Sequence, residues 1–281
     1  MLRPRIGTST VVACVATLTL ACADATSAVL DGVEKAFVIS GYSTSAHWPD
    51  MLQAKLDRLT DGERVYHIRN AWASGSPVER WIDIETDRPK RPYTDMLEEF
   101  FGEKSPLPQP TVALCQQSLQ FLQIPDVETP RAGPVSGPDD AVGRAFGADA
   151  FASLAEMLHL DGCSTVFIAA HIYKKPLEPQ IGSERHALTD LLARDVPYVV
   201  AGPDVWEPTE AGYPELFAED LLHPNMLGAA VMAQLWFEAL LQHDELAVPD
   251  WSRAELEAEL GAELWARLAP MLPELSPEDA E

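Results

Sequence analysis

Three short segments carry residue types that could do acyl-transfer chemistry together. The first is Ser40-Gly41-Tyr42-Ser43-Thr44-Ser45, which follows the apolar run Ala36-Phe37-Val38-Ile39. A glycine there lets the backbone turn sharply, so that Ser43 can point out of a sheet edge. A helix starting just beyond offers free N–H groups to a developing oxyanion. The second is Asp220-Leu221-Leu222-His223-Pro224-Asn225, with Gly228 after it. An aspartate three residues before a histidine can hold one imidazole nitrogen, leaving the other to take a proton from a serine. The third is Asn70-Ala71-Trp72-Ala73-Ser74-Gly75-Ser76, where Gly75 can bring its N–H close to a bound carbonyl. Each segment also has a plainer reading. The serines and the aspartate can cap helices, and Gly75 can be an ordinary loop glycine.

These segments need a frame that brings them to one edge. Five apolar runs recur along the chain: 36–39, 64–68, 111–114, 165–169 and 198–201. They are continuous more than alternating, the pattern of strands buried on both faces of a parallel sheet. Helical patterns lie between them. Pro49 to Leu59 carries Met51, Leu52, Leu56 and Leu59 on one side; Phe151, Leu154, Met157 and Leu158 form a second stripe; Asn225 to Leu241 is long and largely apolar. Asp83 to Pro110 and Pro125 to Gly147, rich in Pro, Gly and charge, are expected as long loops, which often line clefts. The alternation predicts a three-layer α/β/α domain with a five-stranded parallel sheet in flavodoxin-like order. Reactive groups gather at the C-terminal ends of strands in such sheets.

Taken together, the segments resemble the SGNH (GDSL) hydrolases from Lys35 to about Leu241. Asp220-Leu221-Leu222-His223-Pro224-Asn225 with Gly228 resembles that family's Asp-x-x-His-Pro-Asn block. Gly41-Tyr42-Ser43 stands where the family has Gly-Asp-Ser, and Gly75 stands at the glycine of its second block. The resemblance implies an ester- or acetyl-hydrolysing serine enzyme on a short flavodoxin-like fold, without a metal. It makes Ser43, Asp220 and His223 the catalytic residues, and the N–H groups of Ser43 and Gly75 the oxyanion hole. Two positions depart from the pattern. Tyr42 replaces the usual Asp, and Ala169-Ala170-His171-Ile172 lies where the family shows Gly-x-Asn-Asp. His171 either donates an N–H in place of the asparagine or is a satisfied polar residue at a strand end.

Other polar residues compete with this set. Gln117-Ser118 faintly resembles the Gly-Gln-Ser-Asn turn of sialate-type acetylesterases, which makes Ser118 a competing nucleophile. Otherwise Gln117 and Ser118 are expected to line the substrate cleft. His47, close to Ser43, contacts substrate or packs at a helix start. The seven histidines include no metal-type His-x-x-x-His pair, and no phosphate loop or Gly-x-Gly-x-x-Gly is present, so no metal and no cofactor is expected.

The 281 residues fit one α/β domain with long loops, and 47% hydrophobic content suffices for a core. The net charge of -24, from 44 acidic and 20 basic residues, repels phosphate backbones and anionic membranes. That argues against nucleic acid as a partner. Arg3, Arg5 and the apolar run Val11 to Ala21 read as a secretory leader over residues 1–28, too short to span a bilayer. Leu20-Ala21-Cys22 also allows a lipidated Cys22 and membrane anchoring through it, although Thr19 stands where a large aliphatic residue is usual. The expected layout is a leader, a hydrolase-like domain over 29–243 and an acidic helical extension over 244–281. An exported chain could oxidise Cys115 and Cys163. Their expected places at opposite ends of neighbouring strands, about 16 Å apart for a five-residue strand, predict that no disulfide joins them. The expected substrate is a carbohydrate ester or small acyl ester; the alternative is a glycan-binding envelope protein on the same scaffold.

Overall fold

The computed structural model describes residues 28–102, 110–177 and 180–273; the leader residues Arg3 and Arg5 and the lipidation residue Cys22 lie outside them. Five strands form the sheet: β1 (Lys35–Gly41), β2 (Tyr66–Asn70), β3 (Thr111–Gln116), β4 (Cys163–Ala169) and β5 (Val199–Ala201). All pairs are parallel, in the order β2-β1-β3-β4-β5. This is the flavodoxin-like order expected from the sequence.

The apolar runs are continuous because successive side chains feed two different cores. Phe37 and Ile39 of β1, Val112 and Leu114 of β3, and Phe167 and Ala169 of β4 enter one cluster. Val38, Ala113, Cys115, Val166 and Ile168 enter the other. The first face is covered by α1 (Trp48–Leu59), α7 (Met226–His243) and α8 (Asp250–Leu268), with the short α6 (Trp206–Ala211) beside them. The second face is covered by α4 (Ala141–Leu160) and α5 (Glu184–Leu192), with α2 (Val78–Trp81) and α3 (Arg91–Phe101) extending that layer. Trp48 of α1 stacks on Trp236 of α7 at 5.3 Å between ring centroids. Trp236 Nε1–H donates to Gln116 Oε1 at 3.2 Å, which ties both helices to the end of β3.

Two expected loops contain more structure than their composition suggests. Within 83–110 a small ribbon pairs Ile82–Asp83 with Arg88–Pro89, and α3 follows at once. Pro92 sits in the first turn of α3, where its missing N–H costs nothing. Tyr93 and Met96 are buried, and Leu97 and Phe100 pack beside them. That helical stripe is masked in the sequence by the Pro, Lys and Arg that precede it. Gly102, at φ +63°, closes the helix in the left-handed region. In the second expected loop, Asp140 caps α4 by accepting from the N–H of Gly143 at 2.9 Å, so the helix begins at Ala141, before the expected boundary at Gly147.

Cys115 and Cys163 are free and buried. Cys163 faces Thr111 and Cys115 faces Ile168, which puts the thiols at opposite ends of the β3–β4 pair. In the acidic C-terminal region α8 turns Leu256, Leu260, Leu264 and Leu268 into the first core cluster. Asp244, just before it, accepts the N–H groups of Val29, at 2.9 Å, and Leu30. Among the described residues no helix is long and apolar enough to cross a membrane.

Because α8 shares the core, Leu264→Ala is expected to lower the free energy of unfolding by about 2–4 kcal/mol. Glu263→Ala, on the exposed side, is expected to change it by less than about 0.5 kcal/mol. Urea denaturation of both variants checks this; equal, small effects would show that α8 is not needed by the core.

Candidate active site

Strand ends align first. Gly41 of β1 faces Gln116 of β3, and Gln116 faces Ala169 of β4, so three strands finish on one edge. Beyond Gly41 the chain turns into a short 3₁₀ segment, Ser43–Ser45, closed by the Ser45 N–H donating to the Tyr42 carbonyl at 2.7 Å. The turn is tight enough that a Cβ on Gly41 would lie 2.8 Å from Ser45 Cβ, so this position needs a glycine. Ser43 is left half-buried at the rim.

His223 arrives from the far end of the chain on a turn held by backbone bonds. The Ala218 N–H donates to the His223 carbonyl at 2.8 Å, and Phe217 and Pro224 form an antiparallel bridge. Asn225 clamps the turn: its Nδ2 donates to the carbonyls of Glu215 at 2.8 Å and Phe217 at 3.0 Å. Its Oδ1 accepts from the N–H of Gly228 at 3.0 Å and caps α7. A Cβ at Gly228 would sit 2.2 Å from the Leu216 carbonyl oxygen, so only glycine fits there. The spacing of Asn225 and Gly228 is thus a packing requirement for presenting His223.

The side chains then meet. His223 Nε2 lies 2.9 Å from Ser43 Oγ. His223 Nδ1 lies 2.6 Å from Asp220 Oδ2. Asp220 Oδ1 also accepts the N–H groups of Leu222 at 2.9 Å and His223 at 3.0 Å. The imidazole bond, then these two backbone donors, pull the Asp220 carboxyl down to about 2, so it stays ionised in any ordinary buffer. With a carboxylate on one nitrogen, His223 carries its proton on Nδ1 and presents Nε2 to the serine as a proton acceptor. The side chains of His223 and Asp220 are 45% and 47% exposed, so a substrate can reach them from solvent.

The loop after β2 runs alongside. The Ala73 N–H donates to the Gly41 carbonyl at 3.1 Å, and Asn70 Nδ2 donates to the Ser45 carbonyl at 3.1 Å. Gly75, at φ +62°, follows two residues after that first brace.

The remaining expectations fare differently. His171 is fully buried, and its Nδ1 lies 2.6 Å from the Ile172 carbonyl oxygen. A carbonyl can only accept, so the proton sits on Nδ1 and Nε2 is bare; it has no partner among the described residues. Burial, helped by the nearby Lys174 charge, holds its pKa down at about 3, so the ring does not gain a second proton near neutrality. In this tautomer His171 has no N–H to offer an oxyanion through Nε2, which corrects the expected donor role. Its ring packs on Tyr42 at 4.8 Å. The two positions that depart from the family pattern are therefore in contact with each other, which neither segment announces on its own.

Gln117 and Ser118 are fully buried, which corrects their placement along a substrate cleft. Gln117 Nε2 donates to Ser40 Oγ at 2.9 Å, and Ser118 Oγ donates to Glu184 Oε1 at 3.0 Å. Ser118 has a carboxyl partner, with no imidazole bonded to it, and is unsuited to act as a nucleophile. His47 is exposed at the start of α1 and its side chain makes no cap bond there. Among the described residues, no group of three or more His, Cys, Asp or Glu is placed to hold a metal ion. Two ionisable groups near the site have no signal in the sequence. Lys174, partly buried, donates to Gln120 Oε1 at 3.3 Å and acts electrostatically on His171. Glu184 is fully buried, and burial pushes its pKa up to about 8. Neither belongs to a recognisable spacing.

No protein-family model and no curated protein matches this chain. Solved structures do. The psychrotrophic esterase EstA from Pseudoalteromonas sp. is 16% identical, with a TM-score of 0.49 over 74% of this chain and 97% of that one. A member of the lipolytic protein G-D-S-L family from Veillonella parvula is 13% identical, with a TM-score of 0.45 over 73% and 97%. The tail fiber protein gp63.1 of E. coli phage G7C is 14% identical, with a TM-score of 0.50 over 75% of this chain and 27% of that one. Identities this low speak for the fold alone. That fold is a three-layer α/β/α arrangement around a five-stranded parallel sheet.

Glu184 and His171 set opposite pH limits. The folded chain keeps a proton on Glu184 that the unfolded chain releases above about 4.5, so stability declines as pH rises from there to about 8. The unfolded chain binds a proton at His171 below about 6.5 that the folded chain refuses until about 3, so stability also declines as pH falls through that window. Glu184→Gln removes the first effect. Its melting temperature is expected to fall less than the wild type's between pH 5 and pH 8, and identical slopes would show that Glu184 does not titrate as described.

Proposed function

We propose that this chain is a serine esterase of the SGNH type, exported by the leader over residues 1–28. The observation that carries this reading is the unbroken relay Asp220–His223–Ser43, at 2.6 Å and 2.9 Å. Ser43 Oγ attacks the ester carbonyl while His223 Nε2 takes its proton, and the charge on the imidazole is balanced by Asp220. The N–H groups of Ser43 and Gly75 bind the oxyanion. Collapse breaks the ester C–O bond, and His223 returns the proton to the departing alcohol. Water then attacks the acyl-serine with His223 as base again, which releases the acid and restores Ser43. The solvent-open rim suits an acyl group on a larger body such as a carbohydrate.

A second reading is a glycan-binding protein without turnover, and the bare Nε2 of His171 is the observation that favours it. Missing one oxyanion donor costs about 10²–10³ in rate. The first reading predicts measurable hydrolysis of p-nitrophenyl acetate that falls by about 10⁴ or more in Ser43→Ala and by about 10³–10⁴ in Asp220→Asn. It also predicts that a fluorophosphonate probe labels Ser43, located by peptide mass. Full activity in Ser43→Ala would sink the assignment, and a folded wild type that neither turns over nor labels would favour the binding protein.

A further inference from the structure

A groove of about 420 Å³ lies between the loop after β2 and the start of α3, lined by Ser74, Gly75, Ser76, Arg80, Lys90, Arg91 and Pro92. Three cations line it, in a chain with 44 acidic and 20 basic residues, and the carboxyls set against them are Glu79, beside Arg80 and Lys90, and Asp95, paired with Arg91. Cations outnumber carboxyls here, the reverse of the chain as a whole. Arg80 is exposed, and its charge acts on the neighbouring Glu79 carboxyl. Lys90 Nζ donates to the Glu79 carbonyl at 2.8 Å, and its charge, like that of Arg80, acts on the Glu79 carboxyl without a direct ion pair. Arg91 pairs with Asp95 at 3.2 Å, but its side chain is 89% exposed, and such pairs are weak and easily exchanged. The guanidinium fork matches a carboxylate or phosphate in two parallel bonds. The 11-residue α3 starts at Arg91, so the positive end of its dipole adds to the same field.

The groove is joined to the reactive serine by the chain itself. Ala73 N–H holds the Gly41 carbonyl at 3.1 Å; Ser43 lies two residues past Gly41, and Gly75 two residues past Ala73. Extended chain covers at most about 3.6 Å per residue, so Ser43 and the groove wall are less than about 20 Å apart. One wall is therefore the loop that carries the oxyanion glycine, and the other is built by the insertion between β2 and β3. The geometry points to a binding site for an anionic group, carboxylate or phosphate, on the saccharide whose ester Ser43 cleaves. This rests on the hydrolase reading for the ester, while the anion site itself can be read separately.

The test uses the folded chain and unesterified ligands, so that it does not depend on turnover. Calorimetry at low salt measures binding of trigalacturonate, glucose 6-phosphate and, as the uncharged control, maltotriose. One or both anionic ligands are expected to bind, maltotriose not, and the double variant Arg80→Gln/Arg91→Gln is expected to raise the Kd at least tenfold. Which anion binds identifies the substituent. Binding of neither, equal binding of maltotriose, or binding insensitive to the double variant would overturn the site. The ratio of kcat/KM for an acetylated form of the bound sugar over triacetin is expected to fall about tenfold in the same variant. Binding without any hydrolysis would sink the esterase and leave the anion site standing; hydrolysis without binding would do the reverse.

Discussion

The hydrogen bond between His223 Nε2 and Ser43 Oγ joins residues 180 positions apart, and the architecture of this edge follows from making it. Neither partner can reach the other from a flexible loop without an ordering cost, which for one residue's backbone is about 1–2 kcal/mol. The chain meets that constraint by placing each partner on a turn that is already fixed. Gly41 and the Tyr42–Ser45 bond set the serine, and the clamp made by Asn225 sets the imidazole. The relay then forms between groups that have little freedom left to lose.

This division explains what was legible in the sequence. The strands could be read because Phe37, Val38 and Ile39 all enter cores, one after another on alternate faces, and only a sheet covered on both sides asks for that. The segment around His223 could be read because steric fit or hydrogen bonding dictates each of its fixed positions. Gly228 makes room for the Leu216 carbonyl, and Asn225 bonds two carbonyls at once. Helix α3 was hidden because Tyr93, Met96, Leu97 and Phe100 form a stripe only when their charged and proline neighbours are discounted. The roles of Gln117 and Ser118 were hidden for a different reason. They follow a strand, as cleft residues do, but their burial depends on Ser40 and Glu184, which come from other parts of the chain.

The edge of the sheet is underlain by polar groups that an apolar core would not tolerate unpaired. Gln116 spans from the Trp236 indole to the Ala170 carbonyl at 2.7 Å, Gln117 bonds Ser40, and Ser118 bonds Glu184. These bonds link the ends of β1, β3 and β4 to α5 and α7. A layer of this kind fixes strand ends in register more firmly than nonpolar contacts do, because each bond specifies a partner as well as a distance. Its cost appears at Glu184, whose burial keeps the neutral acid in place up to about pH 8.

Tyr42 and His171 show how such an edge can change without unravelling. Separately, each looks like a defect in a motif: an aromatic ring where an acid is usual, an imidazole where an amide is usual. In the fold they are one contact, ring against ring at 4.8 Å, with His171 anchored through Nδ1 to its neighbour's carbonyl. The anchored tautomer leaves Nε2 of His171 with no proton to donate. The two bonds that brace residues 70–76 to Gly41 and Ser45 hold the loop carrying Gly75 beside the turn carrying Ser43. In this chain that brace, and not a contact through a third side chain, sets where the loop after β2 lies against the turn after β1.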